Sequence, residues 1–418
     1  MASASLASLS LVNFLVADMQ TGFGAFVSVH LIKAGWDPGH IGAVLSAGTI
    51  AAIIAQVPAG MLVDGTSYKR NVAAAAIVAA MVALLLLATA PGFVPVLVAE
   101  LLGGASGPVL MLAIAAITLA LTRQSQLGER LGENARFAAI GAAIGAGLLG
   151  LIGTSVSTAA VFVVAACVGV PALLALFRIR RSDLLQAPAR TGHHTAPIPS
   201  ARRCPPEPQW RVLVDRRLLA FIACVAAFHL TNAALLPLAA ADAARRADGL
   251  ADLITGAATV VPQALVAVLS PWVGRMAGRR GRRFILLLGF AALPARALLF
   301  AFDGTPDLLV PVQALDGVSA AVFGVLMPLV VADITHEGGR FNFALGLVGV
   351  AASVGAAASN VLAGAIADVA GLHIAFVALA ISGAGATALV WLIMPETAHL
   401  PATRPAPHVA PHVAPTTS

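Results

Sequence analysis

The sequence predicts an all-α integral membrane protein with twelve transmembrane helices in two six-helix bundles. Three observations carry that expectation. Apolar residues make up 59% of the chain and charged residues 11%, with a mean hydropathy of +0.92, a composition solvated by lipid rather than water. The apolar residues fall into twelve runs, each near the ~20 residues a helix needs to cross a bilayer. A loop pattern also recurs about half a chain later, as duplication would produce.

The expected spans of the first half are Leu6–Ile32, Ile41–Val63, Val72–Ala88, Val94–Leu121, Phe137–Val156 and Ala159–Phe177. Those of the second half are Leu218–Ala240, Leu253–Met276, Phe284–Phe302, Leu308–Val331, Phe341–Ala367 and Ile374–Ile393. An even number puts both termini on one side. Of the 25 Lys and Arg residues, 21 then share that side, Lys33, Arg245 and Arg246 lie opposite, and Arg296 falls inside a span. Basic loops stay on the cytoplasmic face, so this asymmetry orients the chain with both termini inside a bacterial inner membrane. The +6 net charge is thereby a matter of orientation and not of nucleic-acid binding.

The expected domains are an N-terminal bundle (residues 1–177), a cytoplasmic linker (178–217), a C-terminal bundle (218–398) and a disordered tail (399–418). The linker clusters Pro, His and Arg, and the tail repeats Pro-His-Val-Ala, both compositions without the means to form a core. The isolated pair His193-His194 reads as solvated polarity, and no metal or cofactor is expected. Cys167 and Cys224 fall in spans and Cys204 in the linker, so no disulfide framework is implied. No basic stretch precedes the first apolar run, which reads as an uncleaved signal anchor.

The recurring loop begins as Gly60-Met61-Leu62-Val63-Asp64 and continues to Lys69-Arg70. It returns 214 residues later as Gly274-Arg275-Met276-Ala277-Gly278, followed by Gly281 and Arg282. Leu102-Gly103-Gly104-Ala105-Ser106 has its counterpart in Leu315-Asp316-Gly317-Val318-Ser319, and Arg136-Phe137 in Arg340-Phe341, each pair expected to open or cross matching spans. A Gly-x-x-x-Asp turn followed by a basic pair resembles the loop signature of the major facilitator superfamily. The likeness covers roughly Leu6 to Pro395. It is closest to bacterial efflux members with Ala17-Asp18 before Gly22-Phe23-Gly24 and with Gly339-Arg340-Phe341-Asn342 before span eleven.

That resemblance implies alternating access, a central cavity lined by spans one, four, seven and ten, and a monomer working on protons and a small molecule. It also implies that Asp64 meets the start of span eleven near Arg340 when the cavity faces outward. The second loop lacks its acid at Gly278, so only the Asp64 side is expected to latch strongly. The family's antiporter glycine signature in span five is half present, at Gly141, Gly145, Gly147 and Gly150, without the Gly-Pro that should follow.

Charges inside a bilayer are costly and are functional candidates by default. Here they are Asp18, Glu100, Arg296 and Asp316. A desolvated carboxyl favours its neutral form, so an acid in a span can take a proton from one side and release it to the other. Asp18 is the expected principal proton carrier, with Glu100 and Asp316 secondary. The alternative is that each acid is permanently paired, Asp18 or Asp316 with Arg296, or Glu100 with a helix partner. The polar candidates for the cavity are Asn13, Gln20, His229, Asn232 and Gln313, with Arg296. Asn13 and Gln20 share a helix face, whereas Asp18 lies ~140° round from Asn13 on an ideal helix, so a straight span presents only one set.

The expected activity is proton-coupled efflux of a small amphipathic compound or metabolite. Three intramembrane acids against one arginine favour a cationic or neutral substrate. The alternative is proton-coupled uptake of a sugar or organic acid, with Arg296 binding the anion. A remote third reading is an intramembrane serine protease, since Gly104-Ala105-Ser106-Gly107 spells Gly-x-Ser-Gly. A serine nucleophile needs a histidine within reach, and the in-span His229 belongs to the opposite bundle. Small residues at a helix crossing explain the motif better, and no enzyme is expected.

Overall fold

The computed structural model describes residues 2–23, 25–89, 92–185, 214–246, 251–302, 306–335 and 340–398. The expectations for most of the linker and for the tail, with His193-His194, Cys204 and Gly339, lie outside the described residues. Within them there are helices and no strand. The first span is divided into α1 (Ala2–Gln20) and α2 (Ala25–Lys33), followed by α3 (Pro38–Gly65), α4 (Lys69–Thr89), α5 (Phe93–Leu121), α6 (Leu127–Ser155) and α7 (Thr158–Phe177). After the short α8 (Arg181–Leu185), the second half opens with another divided span, α9 (Arg216–Asn232) and α10 (Leu235–Arg246). It continues with α11 (Ala251–Arg280), α12 (Arg282–Phe302), α13 (Pro306–Ile334), α14 (Phe341–Ala370) and α15 (Leu372–Ile393). Eleven helices among the described residues are long and apolar enough to cross a membrane, and α1 with α2 supplies the twelfth span.

Outward-facing apolar side chains, among them Ile54, Val268, Val361 and Leu392, are exposed. In water such a surface would be a liability, whereas in lipid it needs no partner. Packing repeats between the halves. In the first, α3 and α4 pack on α5, α4 on α7, and α1 on α6 and α7. In the second, α11 and α12 pack on α13, α12 on α15, and α9 on α14 and α15. The halves meet where α3 crosses α14 and where α6 crosses α11.

The divided spans depart from the uninterrupted helices expected. At the end of α1 the Thr21 N–H is shared between the carbonyls of Ala17 and Asp18, and the chain re-starts past Gly22, which abuts α7 at Ala165. At the matching place in the second half, the freed Ala234 N–H donates to Ser359 Oγ of α14 (3.1 Å), so this buried donor keeps a partner. Pro237 then sits in the first turn of α10, where a missing N–H costs nothing. A second correction concerns α6. It begins at Leu127 and not at Phe137, because Leu127, Gly128, Leu131 and Gly132 form a buried stripe while Glu129 stays exposed. Helical amphipathicity carries that helix beyond its apolar run, so Arg136 lies within α6 whereas Arg340 caps the start of α14. Those two positions are not structural equivalents.

Candidate functional site

A cavity of about 840 Å³ lies between the halves. Its first-half wall is a stripe of α3 (Leu45, Gly48, Thr49, Ala52 and Gln56) facing a stripe of α5 (Glu100, Gly103, Gly107 and Met111), each at the spacing of one helix face. Gln20 and Phe23 close it at the break in the first span, and His229, Phe323, Met327 and Ser353 contribute from the second half. A smaller cavity of about 260 Å³ shares Gln20 and Met111 with it and reaches Asn13, Thr118 and Asn134. Of the expected lining residues, Asn13, Gln20, His229 and Glu100 therefore line cavities.

Among the described residues, Glu100 is the one carboxylate lining either cavity, and no Lys or Arg accompanies it. It is buried beside Gly48, where any side chain would press on its Oε2, and its Oε1 has no hydrogen-bond partner. His229 Nε2 is likewise unpartnered, and the ring stands edge-on to Phe323 (centroids 5.0 Å apart). Ser106 donates to the Gly103 carbonyl of its own helix (2.8 Å). It makes no bond to His229, so the dyad a protease needs is not assembled.

Asp18 lines neither cavity. Its carboxylate is buried at the crossing of α1 and α6, where a methyl group at Gly145 would collide with Oδ1. Of the two faces weighed for α1, the one carrying Asn13 and Gln20 turns to the cavity. The glycines of α6 divide accordingly. Gly141 seats the backbone of Phe14 and Gly145 makes room for Asp18, while Gly147 and Gly150 meet nothing.

Arg296 is also withdrawn from the cavity. Its guanidinium donates to Asp316 Oδ1 (2.6 Å), Asn232 Oδ1 (2.7 Å) and Gln313 Oε1 (2.5 Å), with Arg296 1% exposed. Of the two pairings considered from sequence, the one with Asp316 is made. Arg296 is the buried member of the pair and Asp316 is partly exposed, so removing the acid leaves a buried charge uncompensated, at about 3–5 kcal/mol. Asp316→Ala is therefore expected to lower the thermal midpoint of the purified protein sharply, and adding Arg296→Met to recover most of the loss. A scanning-fluorescence melt of both variants checks this.

Below the cavity, at the end rich in basic residues, the halves are drawn together. Gln56 Nε2 donates to Ser353 Oγ across the halves (2.9 Å). One turn on, the backbones of α3 and α14 touch, since side chains at Gly60 or Gly346 would collide with the carbonyls of Asn342 and Gln56. Asp64 completes the line. Its Oδ1 accepts from the backbone N–H of Asn342 (3.1 Å) and from Asn342 Nδ2 (2.7 Å), and its Oδ2 from the N–H of Phe343 (2.8 Å). The two backbone N–H groups are orphan donors of the first turn of α14, where a carboxylate also meets the positive end of the helix dipole. The second crossing is built alike, with Gly128 against Gly274 and Gly132 against Ser270.

The basic residues of the two loops are fastened locally. Lys69 opens α4, and Arg70 Nη1 donates to the Ile179 carbonyl past the end of α7 (2.9 Å). The second loop is held more firmly than its missing acid suggested. Arg282 is buried and pairs with Asp333 Oδ2 (2.9 Å), whose Oδ1 accepts from Gln124 of the first half (2.9 Å). Glu396 accepts from the N–H groups of Arg282 (2.7 Å) and Arg283 (3.2 Å) beside Gly281, whose φ of +92° suits glycine alone. Acids remote in sequence stand in for the absent one.

Gln56 and Ser353 were not among the residues singled out from sequence. A lining by spans one, four, seven and ten leaves them out, although Gln56 interrupts the apolar run of α3.

The family model described as Major Facilitator Superfamily matches residues 5–246 and 229–415. Two uncharacterized MFS-type transporters of Mycobacterium tuberculosis, from strains CDC 1551 and H37Rv, are each 38% identical over 397 residues, covering 93% of both chains. The fold is similar to that of the fucose:proton symporter FucP of E. coli, with a TM-score of 0.68 at 17% identity over 92% of this chain and 97% of that one. It is similar also to the human organic anion transporter MFSD10, with a TM-score of 0.66 at 14% identity over 93% and 98%.

Proposed function

The chain belongs to the major facilitator superfamily, and on that footing we propose that it is a proton-coupled exporter of a small amphipathic cation, working by alternating access. One observation carries the reading. Among the described residues, the cavity between the halves has mainly apolar walls, a single acid with an unpartnered oxygen, and no fixed positive charge. Glu100 is then the group that alternates between a proton and the substrate's charge, with His229 the other titratable side chain on the wall. Asp18, ranked first from sequence, takes a packing role at the α1–α6 crossing. The closed basic end supports an outward-facing state with that end cytoplasmic, held by Asp64 and opened when the halves rock. Uptake of an organic acid is disfavoured because Arg296 is spent on Asp316.

Cells carrying the gene should accumulate less of a lipophilic quaternary ammonium dye than cells lacking it. An uncoupler should erase the difference. Equal accumulation in the two strains across cationic dyes, with reduced accumulation of an anionic one, contradicts the reading.

A further inference from the structure

Taking the cavity as a cation site on the reading above, we propose that its substrate carries one positive charge and, about 12 Å away, a neutral hydrogen-bond donor. Glu100 holds the charged end and Gln56 the donor end. Glu100, on α5, meets the α3 stripe at Gly48, and Gln56 is the last residue of that stripe. Gln56 lies eight residues beyond Gly48 along the helix, a rise of ~12 Å at 1.5 Å per residue.

Gln56 is 7% exposed. Its amide nitrogen is committed to Ser353, which leaves Oε1 buried and without a partner among the described residues. A carbonyl oxygen can only accept, and one left unsatisfied costs about 1–3 kcal/mol. Gly349 lies against this oxygen, and a methyl group there would collide with it. Between the two ends α3 presents Thr49 and Ala52, and Phe23 and Phe323 also line the cavity, which suits an apolar body. One carboxylate matches one charge, and one vacant carbonyl matches one donor. Because the same amide bridges α3 to α14, the far end of the substrate sits directly on the contact that joins the halves.

The test is calorimetric titration of the purified full-length protein in nanodiscs with two series of primary amines. One series is ω-aminoalkanamides with two to twelve methylenes, the other n-alkylamines of equal length. Alkylamine affinity should rise smoothly with chain length. The amide series should show a maximum near an extended length of ~12 Å, about three- to tenfold above the smooth trend, as one net hydrogen bond supplies. Gln56→Leu should remove the maximum, and Gln56→Asn, with its shorter side chain, should move it to a longer amide. A smooth amide series, or a maximum unchanged in both variants, overturns the proposal while leaving the cation reading intact. Failure of both series to bind the unmodified protein overturns the two together.

Discussion

Glu100→Gln is expected to reduce export driven by a pH gradient by about 10²-fold in reconstituted vesicles. A glutamine keeps the size of the side chain and one acceptor oxygen beside Gly48, so the wall of the cavity is preserved. It can neither release a proton nor neutralise a cation. A hydrogen bond to a charged group contributes about 1.5–3 kcal/mol, and the upper figure corresponds to roughly 10²-fold in affinity. The variant should still insert and purify, because Glu100 Oε1 has no protein partner to lose. Asp18→Asn is the control that separates the geometric ranking from the sequence ranking. It should retain most of the flux, since its carboxylate faces Gly145 and no cavity. Full flux in the glutamine variant together with none in the asparagine variant would return the proton to Asp18.

Asp64→Ala is expected to shift the population towards the state open at the basic end by about 10²-fold. Three hydrogen bonds from the first turn of α14 end on this carboxylate. They are not additive, but a joint loss of about 3 kcal/mol is conservative for bonds to a charged acceptor. That shift is sufficient to invert a modest preference between two conformations. The readout is the rate at which a maleimide alkylates Ala135→Cys, on the smaller cavity, in a background with Cys167, Cys204 and Cys224 replaced. Alkylation should accelerate in the Asp64→Ala variant, with Asp64→Asn intermediate because its amide keeps one acceptor. An unchanged rate would mean that the glycine crossings at Gly60 and Gly128, and not the carboxylate, hold the halves together.

Much of the architecture is written in local composition. Twelve apolar runs, the charge asymmetry and the 214-residue recurrence from Gly60 to Gly274 need no tertiary information, and the pairing pattern of the helices repeats between halves as duplication requires. What escaped is what depends on partners. The break after Asn232 is made affordable by Ser359, which is 125 residues from the Ala234 N–H it accepts from. The start of α6 is disguised by Glu129 and Arg136, whose charges look like a loop until the buried stripe beneath them is seen. The pairing of Arg296 with Asp316 rather than Asp18 is a matter of distance between helices, which spacing along one helix does not encode. Gln56 was invisible for a related reason, since lining by α3 and α14 follows from how the halves close at the basic end.

The most direct measurement is proton release on binding. The purified protein is placed in weakly buffered solution with a pH indicator and titrated with an ω-trimethylammonio-alkanamide, whose fixed charge has no proton of its own to give. If the carboxyl of Glu100 trades its hydrogen ion for the ligand's charge, about one proton should appear per ligand bound, and none with Glu100→Gln. Binding to the unmodified protein without release, or equal release from both proteins, would contradict the account.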